Sequence, residues 1–157
     1  MEIEKRLKEI NIALPAPPKK VGVYMPVKAF SGDLTPCPVQ VSGCLPMVDG
    51  VVITGKLGDD CSMEDGCKAA ELCTLNILAN LKAHLGDLDR VRNCVKMTVF
   101  VASTPDFYQH PQVANAATEL LVKIFGEKIG CPTRAAFGVA SLPANAAVEI
   151  ELLVEVD

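Results

Sequence analysis

No tryptophan occurs in this 157-residue chain, and two Tyr and five Phe supply its aromatic content of 4%. An interior built almost without rings is aliphatic, and a nucleic-acid surface without them lacks the platforms on which unpaired bases stack. Positive charge is also scarce. Fifteen Lys and Arg stand against nineteen Asp and Glu, a formal net charge of −4, so the basic field that attracts a phosphate backbone is missing and no nucleic-acid partner is expected. No apolar run reaches the roughly 18 residues of a membrane span, so no membrane association is expected either. Histidine is limited to His84 and His110, and none of the seven Cys forms a CxxC pair. Cysteines in odd number without ligand spacing read as reduced, mostly buried small apolar residues, which points to a cytoplasmic setting. The opening residues 1–10 alternate charged with apolar groups and include three Glu, the pattern of neither a secretory signal nor a transit peptide.

What remains is the composition of a folded domain: 50% hydrophobic and 22% charged residues. Surface scaling gives about 7,600 Å² exposed when folded against about 24,000 Å² for the extended chain, enough burial for one core without disulfides or metal. One domain over residues 1–157 is expected. Ile3, Leu7 and Ile10 share a face of a short helix over about residues 2–11, which stops before the Pro-rich Leu14–Pro18. Two apolar stretches, Val21–Phe30 and Pro38–Ser42, are separated by turn signals at Ser31-Gly-Asp33 and Pro36. Asp49-Gly50 before Val51-Val-Ile-Thr54 predicts a hairpin.

Ser62 as cap, Glu64 and Asp65 in the first turn and Gly86 as stop frame a long helix. Its stripe of Ala70, Cys73, Ile77 and Leu81, widened by Leu72, Leu75 and Leu78, is too broad for one wet face. Residues 91–102 read as a strand with Val91, Val95, Met97, Val99 and Val101 on one face. Pro111-Gln112 opens a second helix whose apolar face is Val113, Ala117, Leu120, Leu121 and Ile124, ending at Gly126. The tail alternates Val148, Ile150, Leu152, Val154 and Val156 with Glu149, Glu151, Leu153 and Glu155, a half-buried strand of an antiparallel or mixed sheet. Two helices covering one face of such a sheet make an α+β sandwich.

Chemistry is sparse. Cys61, Cys67 and Cys73 are spaced by six, but six helical residues turn by about 600°, so the three thiols share no face and no metal site is expected. Gly55-Lys-Leu-Gly58 lacks the GxxxxGK[ST] frame and precedes Asp59-Asp60, whose charges repel phosphate; it reads as a connecting loop. No GxSxG is present. Arg134, inside the small and apolar Cys131–Gly138 segment, is the exception. A lone strand Arg ordinarily snorkels to water, but its guanidinium also offers the paired donors that clamp a carboxylate. Glu149, on the tail strand expected to pair with it, then faces the same cleft; its alternative is a solvated face shared with Glu151 and Glu155.

Arg134, Leu142-Pro143 and Val148-Glu-Ile-Glu151, in that order and spacing, resemble the RidA/YjgF imine deaminase family. Val41-Ser-Gly43 with Pro46 is similar to the family's Ser-Gly-Gln-x-Pro turn. Leu75-Asn76, Leu85-Gly86-Asp-Leu88 and Val95–Val101 are similar to its central helix and strand. The resemblance covers roughly residues 20–156. The longer N-terminus and the Val51–Gly58 insert resemble a YjgF-like branch distinct from the best-studied deaminases. It implies a chorismate-mutase-like sandwich, a mixed sheet with two helices packed on one face. It also implies a homotrimer with sites in the clefts between subunits, and hydrolysis of 2-imino acids without metal or cofactor. In the implied site Arg134 and the backbone N–H of Ala136 hold the carboxylate of a small 2-imino or 2-oxo acid. Gly43 and Tyr24 contact the ligand, and Glu149 positions the water. Two residues depart from the family's wording: Cys44 stands where Gln follows Ser-Gly, and Gly138 stands in place of an acidic residue. A trimeric metabolite-binding or regulatory protein that keeps the Arg134 anchor without turnover is the second reading. The endoribonuclease label that some relatives carry fits poorly with the acidic charge and the missing aromatics.

Overall fold

Local signals start and stop the long elements as expected. The computed structural model describes all residues except Met1, Ser31 and Asp33, so the outer residues of the predicted Ser31-Gly-Asp33 turn lie outside the described residues. Helix α2 (Met63–Leu85) begins where the Ser62 hydroxyl accepts the Asp65 N–H at 3.0 Å and ends at Gly86, whose φ of 81° lets its N–H reach the Lys82 carbonyl. The breadth of its apolar arc has a plain cause: it packs on the sheet with one side and on α3 (His110–Phe125) with the other. No helix among the described residues is long and apolar enough to cross a membrane.

Helix α1 (Glu2–Glu9) stops earlier than the prolines require. Asn11, at φ 56°, turns the chain left-handed; its N–H bonds to the Lys8 carbonyl and that of Ile12 to the Leu7 carbonyl, the pairing of a Schellman stop. After α3 the chain makes one unanticipated turn of helix, α4 (Glu127–Gly130). There a Cβ on Gly130 would come within 2.4 Å of the Leu121 carbonyl oxygen, so only glycine lets α4 fold back on α3.

The strands are β1 (Val27–Ala29), β2 (Cys37–Cys44), β5 (Val91–Ala102), β6 (Thr133–Val139) and β7 (Val148–Val156), in the order β1-β2-β7-β5-β6. All pairs are antiparallel except β5 with β6. Strands β3 (Met47–Val48) and β4 (Val51–Val52) form a separate hairpin, whose Asp49 and Gly50 (φ 50° and 80°) give the turn that Asp-Gly predicts. Helices α2 and α3 cover one face of the five-stranded sheet. Val148, Ile150, Leu152 and Val154 of β7 are fully buried beneath them, each stabilising the fold by about 1.5–3 kcal/mol. On the uncovered face the register lines up Glu149, Phe100 and Phe137, with Glu151 and Thr98 in the next row. This is the mixed-sheet α+β sandwich expected, with both long helices on one face.

Two expectations need correction. Strand β5 has the predicted limits, but register shifts between Val91 and Asn93 and between Cys94 and Lys96 break its alternation. Cys94 is therefore buried and Val95 only half-buried, because each extra residue in a strand flips the following side chains. The second concerns the strand bearing Arg134. It pairs with β5, and β5 lies between it and the strand bearing Glu149.

Candidate functional site

A cleft of about 670 Å³ opens beside Glu149, and Tyr24, Gly43 and Cys44 line it with Glu149. Its floor is an irregularity in the β2–β7 pairing. Val41 is opposite Leu152 and Cys44 opposite Ile150, so Ser42-Gly43 bulges out of register, the device that re-aims side chains at sheet edges. The Glu149 carboxylate lies directly on the bulge: a Cβ on Gly43 would sit 2.2 Å from Glu149 Oε1. Ser42 ties down the preceding segment, its hydroxyl donating to the Met25 carbonyl at 2.7 Å and its N–H to that of Pro26 at 2.9 Å. Those bonds hold Tyr24 at the cleft.

Helix α2 fixes the other side. The buried Asn76 donates its side-chain amide to the carbonyls of Leu45 (2.9 Å) and Met47 (2.8 Å), holding the turn that leads into the hairpin. One helical turn on, the Asn80 amide donates to Cys44 Sγ at 3.4 Å, while the thiol donates to the Ser42 carbonyl at 3.5 Å. Burial pushes the Cys44 thiol up to about 11; the Asn80 hydrogen bond opposes this and the Glu149 charge adds to it. A thiol so protonated is a poor nucleophile. The Glu149 carboxyl is also raised above the usual range, first by burial and then by Glu151 on the same face of β7. A raised carboxylate in a half-enclosed cleft is the ordinary form of a general base.

Arg134 is elsewhere. It lies on the exposed edge strand β6, where its Nη1 donates to Asn115 Oδ1 (2.9 Å) and Thr118 Oγ1 (3.1 Å) of α3. It makes no ion pair among the described residues. Register puts Arg134 in a row with Met97 and Leu152, on the helix-covered face, and Glu149 in a row with Phe100 and Phe137, on the open face. Two strand spacings across and three residues along separate their Cα atoms by about 14 Å. Within one chain, then, Tyr24, Gly43 and Glu149 come together, and Arg134 and Ala136 form a second group on β6. Gly138 has a local reason for being glycine: a Cβ there would sit 2.5 Å from Ser103 Oγ and 2.7 Å from His110 Nε2, which bond to each other at 3.0 Å. An acidic side chain has no room at that place.

Sequence reasoning missed Asn76 and Asn80 as parts of the site. The signal was available: two amides one turn apart within the apolar stripe of a buried helix need partners. The Gly55–Gly58 segment is a connecting loop, as expected, with Leu57 buried under the chain leaving β5. Among the described residues no three His, Cys, Asp or Glu side chains are grouped to hold a metal ion.

Comparison with known proteins agrees with this architecture. The family described as "YjgF/chorismate mutase-like, putative endoribonuclease" matches residues 4–156. Protein TCP17 of Trypanosoma cruzi is 40% identical over 156 residues, covering 99% of this chain and 94% of its own. The RutC family protein UK114 of Drosophila melanogaster is 32% identical over 151 residues, covering 96% and 88%. Among solved structures, Atu1372 of Agrobacterium tumefaciens, described as of unknown function, superposes with a TM-score of 0.86 at 44% identity, covering 99% of this chain and 93% of that one. With the order of strands, the Ser42-Gly43 bulge under Glu149 and the Arg134 edge strand in view, the chain belongs to the RidA/YjgF family.

Proposed function

We propose that the protein hydrolyses 2-imino acids and their enamine tautomers to 2-oxo acids and ammonia, at sites completed between the subunits of a homotrimer. The observation that carries this reading is Glu149, a half-buried carboxylate with raised proton affinity, laid on Gly43 at the floor of a cleft with room for a ligand. A protonated imine is already electrophilic, so the chemistry needs a positioned water and a held substrate, and no cofactor is invoked. Glu149 accepts one proton as the water oxygen bonds to C2. It returns that proton to the nitrogen, the C–N bond breaks, and the remaining hydroxyl proton leaves with ammonia as ammonium. Arg134 clamps the substrate carboxylate with the two parallel donors of its guanidinium, helped by the N–H of Ala136.

Since Glu149 and Arg134 lie on opposite faces of one sheet, a shared site draws them from neighbouring copies. Two further features support the assembly. The accessible surface is 8343 Å², above the roughly 7,600 Å² expected for a self-contained monomer of this mass. The segment bordering the cleft also exposes Val21, Val23, Met25, Phe30 and Leu34, an apolar strip suited to a second copy.

The test is ammonia release from imines generated in place by an amino-acid oxidase. Wild type accelerates it, and Glu149→Gln lowers the rate by about 100-fold or more while 2-oxobutanoate binding, followed by calorimetry, hardly changes. Binding without any acceleration by wild type would leave a metabolite-binding or regulatory protein. A monomer in sedimentation at micromolar concentration would remove the intersubunit site.

A further inference from the structure

We infer that the cleft beside Glu149 selects 2-imino acids with bulky apolar side chains, of the size of leucine or phenylalanine, over those with a methyl or ethyl group. This rests on the proposed hydrolysis and adds to it the class of substrate.

The volume is the first observation. At about 670 Å³ in a single chain, before a neighbouring copy closes it, the cleft lies in the range of sites that hold drug-sized ligands, with room well beyond a methyl or ethyl side chain. The second is the composition of its lining. Glu149, Gly43 and Cys44 make the reacting end on the proposed reading, and the aliphatic residues lining the same cleft are Val21, Pro26, Leu45, Met47, Val52 and Pro143. An acid whose C2 lies at Glu149 therefore has its side chain among aliphatic groups.

The third observation concerns the polar groups that do line the space. The Ser42 hydroxyl is committed to the Met25 carbonyl, the Cys44 thiol to the Ser42 carbonyl, and the Asn80 amide N–H to Cys44, while Tyr24 lies at the exposed side of the cleft. A hydroxyl or amide on the substrate would lose water without gaining those three donors. Besides Glu149 the charged residue of the lining is Lys19, which is exposed and so remains in water.

Four of those six residues come from two pieces that the sheet does not need. One is the Pro18–Pro26 segment and the other is the β3–β4 hairpin, which contributes Met47, Gly50 and Val52. The hairpin is anchored by the Ile53 N–H to the Pro46 carbonyl (3.0 Å) and by Asn76 beneath it. A wall pinned at both ends and built of aliphatic side chains favours apolar area at about 0.8 kcal/mol, or fourfold, for each methylene it buries.

The experiment compares kcat/KM for imines generated from alanine, leucine, phenylalanine and glutamate. In parallel, calorimetry ranks 2-oxopropanoate, 4-methyl-2-oxopentanoate and 2-oxopentanedioate. The leucine- and phenylalanine-derived imines are expected to exceed the alanine-derived one by about tenfold or more, and the oxo acids to bind in the same order. In Val52→Phe, on the half-exposed hairpin, the leucine-to-alanine ratio is expected to collapse, mainly through KM. Equal rates, a preference for the small imine, or a preference for the glutamate-derived imine through Lys19 would overturn the inference while leaving the hydrolysis intact. Absence of hydrolysis overturns the proposed function, and the affinity order of the oxo acids then decides the side-chain preference alone. If neither apolar oxo acid binds, both fall.

Discussion

Glu149 and Arg134 sit two strands apart in one sheet, in surroundings of opposite kind. The Glu149 end is finished within the chain: a bulge beneath it, a strap tied by Ser42 on one side, and a turn pinned by Asn76 on the other. The Arg134 end is an edge strand exposed along nearly its whole length, steadied by two hydrogen bonds to α3. A bare edge strand of small residues is a liability for an isolated protein, since its unpaired backbone groups invite association. The contrast teaches that, on the proposed reading, a single chain carries one built half-site and one open half-site, the open half being the one a second copy would complete.

The sharpest way to break this comparison is to mix two inactive proteins. Arg134→Ala and Glu149→Gln, co-refolded in equal amounts, are expected to recover about a quarter of wild-type imine hydrolysis, because in a randomly assembled cyclic trimer each interface draws both intact halves one time in four. Failure to recover any activity would place both groups in one chain's site, against the register seen here.

A smaller effect isolates the open half. Arg134→Ala should weaken 2-oxobutanoate binding by about tenfold or more, the equivalent of a charge-assisted pair. Arg134→Lys should restore only part of this, since it keeps the charge but loses the fork. Unchanged affinity in calorimetry would return Arg134 to the role of a surface strand residue.

The smallest effect sharpens the built half. Burial raises the Glu149 pKa in the folded protein, so the native state holds that proton more tightly than the unfolded chain does. Stability from this group therefore falls as pH rises from the ordinary carboxylate pKa through the raised one, and the whole penalty is present at neutral pH. Glu149→Gln removes the penalty. Its melting temperature should exceed that of wild type at pH 7, with the gap narrowing toward pH 4; a gap independent of pH would mean that the carboxylate is not desolvated.

Much of this was legible from local pattern. Ser62 and Gly86 mark α2 to the residue because capping is decided by groups within one turn. Strand β7 was visible because its strict alternation survives in a strand with a partner on either side. The proposed site was named residue by residue through resemblance, but which of those residues one chain brings together in space was not legible. Pairing Arg134's strand with Glu149's was reasonable from their adjacency in sequence, yet β5 intervenes.

The sequence by itself determined the aliphatic core, the limits of α2 and α3, the Asp49-Gly50 hairpin and the family, because these depend on residue type and short-range spacing. Tertiary structure alone decided that Gly43 lies under Glu149, that Asn76 and Asn80 reach across from α2, and that Arg134 and Glu149 face opposite sides of the sheet. The physical reason is register. A bulge or a change in strand order moves side chains from one face to the other without altering the composition or local periodicity from which the elements are read.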